Sequence, residues 1–536
     1  MNRRNFLKLK NNKENSNFKL NSKTPSLVQY NGEWNETVAL HLLRRTVIGP
    51  TVSEINSVVN MGLVEAVNKL TTAETTLPPP SRFVGTWLDA NILYLDPGTS
   101  NASVFIEEMR RWWIGLMINN GLSVRERMVL FWHNHFASDY LTSYTDARFF
   151  YNQNQLFRRN SVGNFKQMCV DITTDKAMLI FLNGRNNKKN TLQENYSREL
   201  QELFTIGLND NNGNPNYTQN DVREAARALT GWEWLFEQNP GATVENNLLT
   251  GHDNTDKNFY NKIIKGDNLG SVELNSLINL IFEKEETSKY LIRKLYRYFV
   301  YTDVSLTPVT PIPEVIEENI ITPLSKVFRD SNWDVGKVLN VLFKSEHFYD
   351  ESIKGSMIKN PAELFVSVIR PMKSGEIKDE FLLHFFQQEC TALGMNLFAP
   401  PGVQGWQFHR SWISTTTLPR RRTATDSIIN GKNLFYTYVL NPIFQGVEYK
   451  SGSAIFNVMP FINSLSGKND PDLLVKQIAN HLLAYSPNDK TFKQIKDSLL
   501  QGQPDYEWQN ISDKIKEERI KSMMKFIMRL PHFQLT

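Results

Sequence analysis

Apolar residues in this chain recur at helical spacing, and no stretch alternates apolar with polar long enough to build a sheet. That pattern predicts an all-α protein: a large, multi-helix, bundle-like domain with long irregular loops. Its densest part runs from Asn190 to Trp232. At about 100° per residue, Tyr196, Leu200, Leu203 and Phe204 share one arc of a helix. Glu194, Arg198, Gln201 and Glu202 take the opposite side, with Asn195 and Glu199 at its edge. Thr191 and Glu194 have the spacing of a capping box, and Gly207 supplies a stop. A second helix from Asp221 puts Val222, Ala225, Ala226 and Leu229 on one stripe, with Arg223 and Arg227 four apart beside it.

The remaining chain is punctuated in the same way. Residues 1–31 read as a disordered basic tail. Helices are expected over 34–47, from Pro50 to about Leu70, over 103–119, and from a Ser123–Glu126 capping box through Phe131–Phe136. Others follow over 147–157 and 163–182. Pro308, Pro311 and Pro313 make 301–314 the expected hinge between a helical lobe over 32–300, carrying the polar core, and a C-terminal helical lobe over 315–536. The loop from Phe398 to Trp406, with two prolines and two glycines, cannot be helix or central strand. It delivers Trp406, His409 and Trp412 to a fixed place.

Composition narrows the function classes. With 32 Phe, 18 Tyr and 11 Trp in 536 residues, the chain has enough apolar surface for a substantial core. The 60 basic and 56 acidic residues nearly balance, and no basic arm is interleaved with aromatics, which argues against nucleic-acid binding. Cys169 and Cys390 are too few for a disulfide framework and sit among apolar neighbours as expected buried thiols. No apolar run reaches the ~20 residues that span a bilayer. Asn2 to Lys8 is similar to the twin-arginine export motif, but the following segment, Leu9 to Asn17, is polar where a working signal needs an apolar run of ~7–15 residues. Two readings stand: a plain tail on a cytoplasmic chain, or periplasmic export with a partner that carries the complete signal.

The candidate catalytic residues are Glu194, Arg198, Glu199, Glu202, His133 and His135; the candidate binding residues are Arg223, Arg227, His252, Asp253 and Trp406. Carboxylates and imidazoles of this kind can hold one divalent metal and activate water, with arginines neutralising an anionic substrate. Against a metal, the imidazoles of His133 and His135 point about 200° apart on a helix, and meet only if the helix ends between them. The alternative makes them boundary histidines bonded to neighbouring helices, and makes the charged residues an ion-pair lattice that fixes helix placement.

Ordered blocks from Trp34 to Arg422 resemble a bacterial family catalogued as domain of unknown function 1800. They are His41–Thr46, Phe131–Phe136, Gly163–Phe165, Asp175–Met178, Glu194–Phe204, Tyr217–Trp232, His252–Asp253, Arg293–Leu295 with Phe299–Val300, and Pro400–Trp406. Gln193 and Gly402 depart from it, standing where the resemblance leads one to expect Pro and Asn. The resemblance implies no established activity. It does imply gene neighbours that look like alkaline-phosphatase/sulfatase relatives and bear twin-arginine signals. Two functions follow as expectations: an accessory or binding partner of such an exported protein, or a metal-assisted hydrolase acting on an anionic substrate.

Overall fold

The protein is described by a computed structural model over residues 24–74, 76–77, 100–143, 147–233, 245–246, 251–301, 311–373, 375–377, 379–406, 409–431, 435–440, 448–453 and 456–536. Most helices begin where the sequence supplies a cap. Asn35 opens α1 (Glu36–Thr46) by accepting from the Thr37 and Val38 amides, and a Thr51–Glu54 capping box opens α2 (Val52–Thr71). Then come α3 (Ser100–Asn119), α4 (Arg125–His135) and α5 (Ala147–Arg159). The single helix expected over 163–182 is two, α6 (Phe165–Thr173) and α7 (Lys176–Phe181). Asp175 starts a new helix by accepting from the Met178 N–H at 3.0 Å. α8 (Asn195–Glu199) runs directly into a π turn over Leu200–Thr205, and a Thr218–Asp221 capping box opens α9 (Gln219–Ala228). The longer helices beyond are α10 (Gly270–Phe282), α11 (Glu285–Phe299), α12 (Thr322–Asp330), α13 (Val335–Lys344), α14 (Pro361–Met372), α15 (Glu380–Ala392) and α16 (Thr417–Asn430). α17 (Pro471–Leu482), α18 (Asp489–Leu500) and α19 (Asp513–Arg529) close the chain.

Among the described residues the strands form three antiparallel pairs: Trp232–Glu233 with Glu245–Asn246, Lys257–Phe259 with Lys262–Ile264, and Phe435–Leu440 with Glu448–Ser453. The protein is all-α, and both cysteines are free and buried. No helix among the described residues is long and apolar enough to cross a membrane.

Two expected caps do not form. Glu194 is itself the residue before α8 and makes no capping bond, while Thr191 pairs with Lys188. The box expected at α4 does not close: Ser123 Oγ accepts from the Arg125 N–H at 3.2 Å, but the Glu126 carboxylate is taken by Arg158 and by Trp113. A buried ion pair holds that carboxylate more strongly than a local amide does.

One hydrophobic cluster extends from Val38 to Phe533 and draws on both sides of the proline-rich stretch. α2 packs on α13, α3 on α14 and α15, and α11 on α12. Residues 302–310 of the expected hinge lie outside the described residues, as does the twin-arginine-like motif. Within the expected tail, the Tyr30 N–H donates to the Lys344 carbonyl, and the Val28 carbonyl accepts from Glu346, each at 2.8 Å. α4 lies deepest of the helices that carry candidate residues: every residue from Glu126 to His135 is buried.

Candidate functional site

A helix buried all round must satisfy each of its polar groups with protein. On α4 the polar side chains reach several elements, and only Arg127 Nε and Nη2, His135 Nδ1 and Arg125 Nε are left unbonded among its buried side-chain atoms. Glu126 accepts from Arg158 Nη2 at 3.0 Å and from the Trp113 indole at 3.2 Å. Arg127 pairs with Glu363 of α14 and lies over the Tyr298 ring, 5.0 Å from its centre. Asn134 Oδ1 accepts from the Trp406 N–H at 2.6 Å. Gly405 comes in at φ +77°, and a Cβ there would overlap Asn134. The loop from Phe398 to Trp406 therefore anchors on α4, with the Trp406 ring 5.4 Å from the His133 ring.

The two histidines are not at a boundary; both are fully buried, because α4 continues unbroken to His135. His133 Nε2 accepts from the Phe398 N–H at 3.2 Å, and burial lowers its pKa to about 3. His135 donates through Nε2 to the Phe204 carbonyl at 2.9 Å. Burial, then the nearby Lys294 ammonium, holds its pKa well below the ordinary range. Each imidazole serves its own neighbour. Among the described residues no three His, Cys, Asp or Glu side chains gather in a way that could hold a metal ion.

The Phe204 carbonyl belongs to the π turn. The last carbonyls of any helix lack intrahelical partners, and side chains supply them here. Leu203 O accepts from Tyr290 Oη at 3.0 Å and from Lys294 Nζ at 3.1 Å, and Asn216 Nδ2 donates to the Ile206 and Gly207 carbonyls. Burial, with Arg297 beside it, brings Lys294 down to about 7. Gly207 ends the helix at φ +80°, as its position predicts.

The outer face of the same segment gathers four candidates. Arg198 bonds Glu194 at 3.1 Å and Gln219 at 3.0 Å, and Tyr217 Oη donates to Glu202 at 2.9 Å. Glu199 is half-buried and makes no hydrogen bond among the described residues. Burial, then the neighbouring Glu202 carboxylate, pushes its pKa up to about 7 against the pull of Arg198.

α9 places its two arginines differently. Arg223 is exposed and pairs with nothing among the described residues. Arg227 bonds Glu224 at 2.7 Å, Asp253 at 2.8 Å and Thr255 at 2.5 Å. Burial pushes Asp253 up, but its bonds from Thr255 and Arg227 outweigh this and hold it at about 2. Next to it, His252 donates from Nδ1 to the Thr230 carbonyl at 2.9 Å and from Nε2 to Glu273 at 3.3 Å. Glu273 also holds Lys257, and all three side chains are fully buried. Burial lowers the His252 pKa, yet the Glu273 and Thr230 bonds prevail and leave it raised. Because both ring nitrogens donate, the imidazolium is the form that this geometry fits.

Most candidate residues thus fall into three separate groups: His133 with Trp406, the Glu194–Glu202 face with Tyr217, and Arg227 with His252 and Asp253; His135 serves the π turn, and Arg223 stands apart. The partners that sequence reasoning missed are Glu126, Arg158, Glu363, Lys257 and Glu273. Glu273 carried a signal, since it lies one turn before the buried Leu277 on α10. A carboxylate on an apolar stripe demands a buried partner.

The family described as Protein of unknown function (DUF1800) matches residues 41–535, nearly the whole chain. The chain belongs to that family. No curated protein and no solved structure matches it. Both departures from the expected DUF1800 pattern have a structural account. The Gln193 N–H donates to Asn187 Oδ1 at 3.0 Å, a bond proline would lack. Gly402 faces open space, so the missing side chain leaves no void.

Proposed function

We propose that this DUF1800 chain is an accessory or binding protein that works with an exported phosphatase/sulfatase-like partner. The observation that carries the reading is that most of its candidate polar groups are taken up inside the fold. Arg198 with Glu194, Arg227 with Asp253, and His252 with Glu273 are internally paired, and His133 and His135 are bound to backbone groups. Such pairing supports fixed helix placement rather than turnover. The test is co-expression with a phosphatase/sulfatase-like protein encoded beside it. A stoichiometric complex, and a partner that is protease-resistant only when the chain is present, is expected. A partner that folds and works equally well alone, with no complex, would reject the reading.

One observation favours a second reading, hydrolysis of an anionic substrate. A half-buried carboxyl near pKa 7 beside a second carboxylate is suited to general acid–base work. Glu199 would exchange the proton, Glu202 and Tyr217 would fix its environment, and Arg198 would face the anion. Under this reading the purified chain hydrolyses aryl phosphates or sulfates with a pH limb near 7 that vanishes in Glu199→Gln. Absence of turnover between pH 5 and 9 would sink it.

A further inference from the structure

Away from the three groups, a cleft of about 520 Å³ opens beside the turn Glu351–Ser356. Tyr301 and Tyr485 contribute aromatic surface, while Ser352, Ser356, Lys354 and His409 supply polar lining. Two consecutive arginines of α1 reach the residues that form its walls from behind. Arg44 donates from Nη1 to the Ala484 carbonyl at 3.2 Å, next to Tyr485. Arg45 donates to the Ile353 carbonyl at 2.7 Å and to Ser356 Oγ at 3.3 Å. Neither forms an ion pair with a carboxylate among the described residues; their hydrogen-bond partners are neutral, and Arg45, fully buried, keeps its Nε unbonded.

Buried guanidinium charges without a directly bonded counter-charge are costly, and with Glu36 and Glu363 acting on Arg44 and Arg45 only from a distance they hold a positive potential over any space that opens beside them. His41 registers that field: after burial, the charges of Arg45, Lys354 and Arg44 are what lower its pKa. The single acid of the lining, Glu351, bonds Lys354 at 2.5 Å, but its side chain is 71% exposed and sits at the rim. Lys354 is only 13% exposed and can turn from that rim partner to a ligand.

We propose that this cleft binds a small monoester of a tetrahedral oxyanion, a phosphate or sulfate ester. Lys354 and the Ser356 hydroxyl engage the anionic head, the Ser352 hydroxyl being held by Asp350 within the turn, and the two tyrosines flank the organic part. The volume lies within the range of small-molecule sites and exceeds what a bare oxyanion fills. The inference is independent of the partner reading, since it needs only this chain.

The test is calorimetric titration of the full chain with phenyl phosphate, phenyl sulfate, inorganic phosphate and phenol. Phenyl phosphate or phenyl sulfate is expected to bind most tightly, inorganic phosphate more weakly, and phenol not detectably. Lys354→Gln is expected to weaken ester binding at least tenfold with an unchanged melting temperature, and Tyr485→Ala to weaken the ester but not the inorganic ion. Equal binding of phenol and phenyl phosphate would overturn the anionic class, and tighter binding of inorganic phosphate than of either ester would overturn the ester. Binding unaffected by Lys354→Gln, or no binding of any probe, would overturn the site.

Discussion

At the scale of single residues, two titratable groups both make stability fall as pH rises through neutrality. Glu273 is the only carboxylate bonded to His252 and Lys257 among the described residues. Glu273→Gln would leave two buried cations uncompensated, at a cost of about 3–5 kcal/mol, readable as a large drop in melting temperature. The pKa of His252 is raised in the fold. Its contribution is therefore complete below the unfolded value of about 6.5 and is lost as pH rises through the folded value. Urea titrations from pH 6 to 9 should show this decline in the wild type and a flatter profile in His252→Gln. Glu199 also has a raised pKa, from 4.5 to about 7, so the folded state holds its proton more tightly and stability falls with pH across that window. With its carboxyl half-buried and unbonded, Glu199→Gln is expected to be neutral or stabilising at pH 8. A clear loss of stability there would mean that the Glu199 carboxylate has a partner.

At the scale of elements, the loop from Phe398 to Trp406 depends on one backbone position. Gly405→Ala places a side chain at φ +77° and against Asn134. Strained backbone alone costs of order 1–3 kcal/mol, and displacing Asn134 removes its bond to the Trp406 N–H. A lower melting temperature with a red shift in tryptophan emission is the expected result. Gly402→Asn, three residues earlier and facing open space, should be tolerated. The π turn was not legible beforehand. Glu194–Phe204 carries an ordinary helical stripe, and the choice of a wider turn comes with Tyr290, Lys294 and His135 taking the carbonyls that it leaves open. Those three residues lie far away in sequence, so no local window contains the reason.

At the scale of the molecule, the continuous core across 301–314 predicts a single heat-unfolding transition, seen alike by far-ultraviolet circular dichroism and tryptophan fluorescence. Two resolved transitions would show that the lobes expected from the proline-rich stretch unfold independently. By itself the sequence determined whatever depends on neighbours along the chain. That includes helices over most of its length, the buried stripe Val222–Leu229, the Gly207 stop, and a loop at 398–406 that cannot be regular structure. These are properties of spacing and of single-residue backbone preference, which a short segment carries with it. The tertiary structure alone decided which charges meet. Arg127 and Glu363 are 236 residues apart, and Glu126 left its local cap for Arg158. Arg227 found Asp253 rather than Glu199 or Glu202, and Arg223 found no partner among the described residues. An ion pair between elements forms only after apolar faces have docked them, so its partners are set by the docking and not by the spacing of charges along the chain.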